Sequence, residues 1–169
     1  MNDIILETER LQLRYQRIND LDFLIDLWTD NVITEYVGGS RDKGNLIKSF
    51  NEIAVNPMKE EFDLWFFELK STQKTVGMAG LLEKIISSEK FFEINYYVNQ
   101  KYWNNGYAAE ISNGIIKHFM EKKGIKTFIA IIDKENIASI KVAEKIGMTY
   151  WKTELRNKGE KEIYRIEFT

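Results

Sequence analysis

Residues 91–132 constrain the architecture more than any other part of the chain. Residues 91–99 read as a strand, a polar loop follows, residues 107–122 read as a helix, and residues 127–132 form a short, nearly continuous apolar strand. Ile111, Ile115 and Phe119 make one stripe of that helix, and Gly124 is placed to stop it. Two strands joined through a helix are expected as parallel neighbours with a right-handed crossover. The preceding segment has the opposite logic. Residues 63–69 and 75–86 are strands separated by the turn Ser71-Thr72-Gln73-Lys74, and strands joined by short turns pair antiparallel. A chain holding both patterns builds a mixed sheet covered by helices.

The rest fits around this centre. Leu11, Leu13 and Tyr15 alternate with Gln12 and Arg14, as in a half-buried strand. Asn19-Asp20 are expected to cap a helix whose apolar face is Leu21, Leu24, Ile25 and Trp28. A second early helix over residues 42–54 presents Leu46, Ile47, Phe50 and Ile53. Residues 136–146 form a helix with Ile137, Ile140, Ala143 and Ile146 on one side, ending at Gly147. Two last strands, residues 149–155 and 162–168, flank a turn at Asn157-Lys158-Gly159. The order is β-α-α-β-β-β-α-β-α-β-β.

Composition narrows the function classes. A length of 169 residues, with no linker or repeat, suits a single domain over residues 1–169. Hydrophobic residues at 44% supply a substantial core. With 24 basic against 26 acidic residues, the chain lacks the positive excess of a nucleic-acid binder. It has no cysteine, which excludes disulfides, thiolate catalysis and Cys-ligated zinc. The single histidine, His118, excludes multi-His metal sites and reads as a surface residue of the long helix. No stretch approaches the roughly 18–20 apolar residues that span a bilayer, and Met1 to Arg10 lack a signal core. The expectation is a soluble cytoplasmic domain with no metal, nucleic acid or membrane partner.

Two segments carry chemistry. In Tyr102-Trp103-Asn104-Asn105-Gly106-Tyr107-Ala108-Ala109, a polar loop enters a helix through a glycine and two small residues. The first turn of a helix has unpaired N–H groups and a positive dipole end, so this junction suits a pyrophosphate; it also suits a plain strand–helix connection. In Asn136-Ile137-Ala138-Ser139, Asn136 follows a strand and serves as a helix N-cap, and Ser139 sits one turn in. The run Gly39 to Gly44 is not a Walker loop, because Asn45 stands where its lysine belongs.

Together these segments resemble the GNAT superfamily of acetyl-CoA-dependent N-acetyltransferases, especially the branch of ribosomal-protein N-terminal and spermidine acetyltransferases. Tyr102-Trp103 and Gly106-Tyr107-Ala108 match the branch's Tyr-Trp-Gly-Lys-Gly-Tyr-Ala loop, with Asn104 and Asn105 departing. Asn136-x-x-Ser139, followed by Glu144-Lys145-Ile146-Gly147-Met148, is similar to the family's Asn-x-x-Ser…Glu-Lys-Leu-Gly-Phe. Thr8-Glu9-Arg10-Leu11-Gln12-Leu13-Arg14 is similar to the branch's opening strand.

The resemblance implies a GNAT-like α/β fold. It has a central mixed, mostly antiparallel twisted sheet of about seven strands, flanked by about four helices, with the fourth and fifth strands splayed. It implies acetyl-CoA as cosubstrate and an amine acceptor: a protein N-terminus, a polyamine or another small amine. Dimers are common in the branch, so a homodimer is one expectation. Acetyl-CoA would lie along Tyr96, Tyr97 and Val98, its pyrophosphate on Trp103, Asn104, Asn105, Gly106, Tyr107, Ala108 and Ala109, with Asn136 and Ser139 as further contacts. The N–H near Val98 would meet the thioester oxygen. Glu93 stands where the branch often has an acidic residue and is the candidate base; it also reads as merely facing solvent or pairing with a lysine. Many relatives use a tyrosine as general acid where this chain has Ala143, which leaves Ser139, Tyr150 and Tyr164 as candidates. The residues Tyr36 and Gly38-Gly39 would border the acceptor. Trp28, Trp65 and Trp151 read as core or cleft walls. A non-catalytic acyl-CoA-binding module is the competing reading.

Overall fold

The computed structural model describes residues 3–156 and 159–169. Its strands are β1 (Ile4–Glu7), β2 (Leu11–Arg14), β3 (Leu64–Leu69), β4 (Thr75–Ile86), β5 (Glu89–Val98), β6 (Thr127–Asp133), β7 (Thr149–Arg156) and β8 (Gly159–Glu167). Its α-helices are α1 (Leu21–Thr29), α2 (Asn31–Thr34), α3 (Lys43–Val55), α4 (Tyr107–Lys123) and α5 (Ile137–Lys145). The strands form one sheet in the order β1-β2-β3-β4-β5-β6-β8-β7. All neighbours are antiparallel except β5 and β6, the parallel pair that the α4 crossover requires.

This is the expected mixed sheet with one strand and one helix more than the sequence displays. β1 is an edge strand with no alternation of its own, and pairing with β2 is what makes it a strand. α2 is a single turn whose start is fixed by Asp30, which accepts from the Val32 N–H at 2.8 Å. Of the turn expected at residues 157–159, Asn157 and Lys158 lie outside the described residues.

Successive strand residues face opposite sides, and Phe66 and Phe67 show the consequence. Phe67 packs with Leu81, Ile94, Ile111, Ile115 and Phe119 on the side covered by α4. Phe66 packs with Leu24, Trp28, Phe50 and Met78 on the side covered by α1 and α3. At Gly80 the strands come closer than any side chain allows, since a Cβ there would stand 1.8 Å from the Asp63 carbonyl oxygen.

One polar cluster is buried in this frame. Arg14 is only 2% exposed, and Glu68 not at all. The Arg14 guanidinium donates to both Asp20 oxygens at 2.7 and 2.8 Å and through Nε to Glu68. Glu68 also accepts from Arg17 at 2.9 Å. Asp20 therefore does not cap α1 with its side chain as expected; its carboxylate is drawn to Arg14. The cluster ties β2 to β3 and sets where α1 begins. Removing one partner of a buried pair typically costs about 3–5 kcal/mol, because the other charge is left uncompensated. Glu68→Leu is expected to lose that much stability, read as a lower urea midpoint at unchanged slope.

Candidate active site

β5 has two unlike edges. Toward β4 it is paired along its length, from Glu89 to Val98. Toward β6 it is paired only at Phe92↔Phe128 and Glu93↔Ile129, so the two strands part beyond that point. In an antiparallel ladder, alternate residues bond to the same neighbour. The Asn99 N–H donates to the Val76 carbonyl at 2.9 Å, which places the bonding groups of Tyr97 and Asn95 toward β4 as well. Tyr96 and Val98 then direct their N–H groups to the other edge, where β6 has turned away.

α5 closes the far side of this gap. Asn136 caps it, its Oδ1 accepting from the Ser139 N–H at 3.1 Å. The Tyr96 hydroxyl donates across the gap to the Ser139 carbonyl at 2.9 Å. The resulting cavity has a volume of about 100 Å³ and is lined by Tyr36, Val37, residues 93–97 of β5, residues 130–133 of β6, Asn136 and Ser139. Glu93, Tyr96, Tyr97, Asn136 and Ser139 are thus brought together.

Glu93 is 8% exposed, with Lys84 Nζ at 3.4 Å. Both readings of this residue meet here, for it pairs with a lysine and also lines the cavity. Burial pushes its carboxyl above the usual carboxylate range, and the Lys84 ammonium offsets part of that rise. Burial likewise raises the phenols of Tyr96 and Tyr97 far above their ordinary value. Tyr97 packs against Trp28 with ring centroids 4.6 Å apart and the planes tilted by 54°, and its hydroxyl donates to Asn95 at 3.3 Å.

The loop before α4 lies beyond the cavity lining. Asn104 adopts φ +62°, a left-handed conformation that Asn tolerates better than most residues. The Asn105 amide donates to the carbonyls of Tyr102 and Trp103 at 3.1 and 2.9 Å and closes the loop on itself. Gly106, at φ +79°, begins α4 with no side-chain cap, leaving the first-turn N–H groups free of a side-chain acceptor. Trp103 turns back, and its indole N–H donates to the Val98 carbonyl at 2.7 Å. Ala109 is buried in the core.

Sequence reading missed two cations at this loop. Arg10 Nη2 and Lys145 Nζ each stand 3.7 Å from where a Gly106 Cβ would be. Arg10 is held there by Glu110 at 2.6 Å and lies over the Tyr107 ring. Other candidates are not brought to the cavity. The Tyr164 hydroxyl donates to Glu162, and Tyr150 is paired with Thr153. His118 is half-buried on α4 against Phe119, and Gly38 and Gly39 are not in the lining.

The sequence model of the acetyltransferase (GNAT) domain matches residues 10–149. The chain belongs to the GNAT acetyltransferase family. It is similar to the uncharacterized protein YkkB of Bacillus subtilis, with 33% identity over 149 residues that cover 88% of this chain and 87% of that one. A GNAT-family acetyltransferase from Bacillus anthracis has the same fold, with a TM-score of 0.81 at 22% identity over 96% of this chain and 97% of that one. So does the Salmonella typhimurium acetyltransferase that modifies the N-terminal serine of ribosomal protein L7/L12, with a TM-score of 0.80 at 14% identity over 98% and 99% of the two chains. This GNAT chain is an acetyl-CoA-dependent acetyltransferase. Among the described residues no cluster of three or more metal-ligating side chains occurs, and no helix is long and apolar enough to cross a membrane.

Burial of Glu93 gives a stability signature. The unfolded carboxyl titrates near 4.5, and the folded one titrates higher. The penalty for the ionised form is absent below the unfolded value, grows as pH rises through the folded one, and is full above it. Glu93→Gln is expected to melt above the parent protein at pH 7–8, and the difference should close toward pH 4. Thermal melts across that range measure it.

Proposed function

We propose that this GNAT protein, as a single acetyltransferase domain, moves the acetyl group of acetyl-CoA onto a primary amine by direct attack in a ternary complex. The observation that carries this reading is the buried Glu93 carboxylate, lining a cavity beside the unpaired edge of β5. An amine with a pKa near 10.4 is neutral in only about one molecule per thousand at pH 7, and only the neutral form attacks. Glu93 accepts the proton from the attacking nitrogen, directly or through a water. Its raised pKa brings it nearer to the working pH.

The nitrogen bonds to the thioester carbon, the carbon–sulfur bond breaks, and the electron pair stays on sulfur. The Val98 N–H donates to the carbonyl oxygen as it gains charge, a contribution of about 2.7–4 kcal/mol for one such donor. Ser139 contacts the cofactor and protonates the departing sulfur, taking its own proton back from water. A thiol pKa near 8.5 makes that demand small. The pyrophosphate rests on the loop from Trp103 through Ala109, where Asn104 and Asn105 hold the backbone shape and Gly106 lets the phosphates approach. Tyr96, Tyr97 and Asn136 form the wall that the acyl arm meets. The acceptor is a protein N-terminus, a polyamine or another small amine. The Salmonella neighbour, which acts on an N-terminal serine, favours including free peptide N-termini. The reaction belongs in the cytoplasm, with acetyl-CoA.

The test is CoA release read with a thiol-reactive dye, for which a cysteine-free protein gives no background. The panel holds spermidine, an aminoglycoside and peptides with free N-termini. Turnover with one class is expected. Glu93→Gln should lower kcat by about 10²–10⁴ and abolish an acidic limb of kcat/KM that lies above the ordinary carboxylate range. Ser139→Ala should cost less. Acetyl-CoA binding without CoA release across the panel would support the non-catalytic binding module instead.

A further inference from the structure

A second cavity lies on the side of the sheet covered by α1 and α3, between those helices and the start of the β3–β4 hairpin. Its volume is about 190 Å³, and its walls are mostly apolar, Leu24, Trp28, Phe50, Phe66 and Met78 among them. Trp28 also packs against Tyr97, which lines the acetyl-transfer cavity, so the two cavities are neighbours separated by that ring pair.

One acidic residue, Asp63, is among those lining this apolar space. The backbone fixes its place, for its carbonyl oxygen occupies the room that Gly80 leaves open. Its Oδ1 accepts from the Leu64 N–H at 2.7 Å. No lysine or arginine pairs with it among the described residues, and the charged group that acts on it is another acid, Glu60. By contrast, Glu68, Asp20, Glu93 and Asp133 each hold an arginine or a lysine. Desolvation pushes the Asp63 carboxyl up.

A half-buried carboxylate among apolar walls is costly unless a cation completes it. Apolar walls call for an apolar body in the same ligand. The space is below the roughly 300–1,000 Å³ of pockets that hold drug-sized ligands, so the ligand is small. We propose that this cavity binds a small hydrophobic ammonium ion, with its nitrogen paired to Asp63 and its apolar part against Trp28, Phe50 and Met78. The site is separate from the acetyl-transfer cavity and does not depend on Glu93.

The experiment uses the full chain without acetyl-CoA. Phenethylamine is the probe and 2-phenylethanol its uncharged counterpart, with binding read by calorimetry and by tryptophan fluorescence, since Trp28 and Trp65 both line the space. Phenethylamine is expected to bind saturably, and the alcohol about ten-fold more weakly or worse, a difference of about 1.4 kcal/mol. Asp63→Asn should bring the amine down to the alcohol's affinity. The amide oxygen of that variant can still accept from Leu64, so the fold is kept, and a thermal melt verifies it. Leu46→Trp, which fills the cavity from α3, should abolish binding of both probes. Glu93→Gln should bind phenethylamine as the parent does. The proposal is overturned if phenethylamine does not saturate, if the two probes bind equally, if Asp63→Asn binds the amine as tightly as the parent, or if Glu93→Gln loses the binding.

Discussion

The parallel ladder between β5 and β6 ends after Glu93 and Ile129, and it ends in the middle of a sheet whose other pairings near it are long. β4 holds β5 over ten residues, and β8 holds β6 over its full length. Neither strand is free to swing over and resume the pairing. The gap is therefore a fixed property of the fold. Backbone groups inside a protein are seldom left without partners, so an edge like that of Tyr96 and Val98 calls for an occupant with polar atoms in strand-like order. The amide-bearing arm of acetyl-CoA has that character. The Tyr96–Ser139 bond then serves as a strut, joining β5 to α5 where the ladder no longer does.

Buried charge appears twice in this frame with different outcomes. Around Arg14, each acid faces an arginine at hydrogen-bond distance, and the cluster acts as a fastener between β2, β3 and the first helix. At Glu93 the compensation is incomplete. Lys84 stands 3.4 Å away and is itself partly exposed, so burial still dominates the carboxyl. The first arrangement holds elements together, and the second leaves a carboxyl that burial pushes up. The same contrast separates a structural ion pair from a candidate base without reference to sequence position.

The parts legible in the sequence were those with strong local patterns. The stripe Ile111, Ile115 and Phe119 located α4, and the turn at residues 71–74 located the β3–β4 hairpin. The strand–loop–helix junction gave the parallel pair. Local pattern says nothing about partners that come from far along the chain. β1 exists through β2, and the Asp20 side chain leaves its cap position because Arg14 is buried nearby. On α1, Leu27 is buried where Ile25 was expected, because the contact face is set by Phe66 and Met78 on the sheet. Arg10 and Lys145 reach Gly106 only once three separate elements are assembled. Asp63 reads as the first residue of a strand until Gly80 is seen to admit its backbone.

The contacts of Glu110 bear on how the molecule is made. Thr8 and Arg10 both bond to this residue, 102 and 100 positions away, in the first turn of α4. β1 and β2 are synthesised well before α4, so their turn waits for that helix before it has a place to dock. At about 5–20 residues per second, that delay is on the order of several seconds. The apolar run Ile4-Ile5-Leu6 stays without its native cover for that time. Contacts this far apart in sequence form slowly, so the β1–β2 turn and the start of α4 depend on each other for their final form.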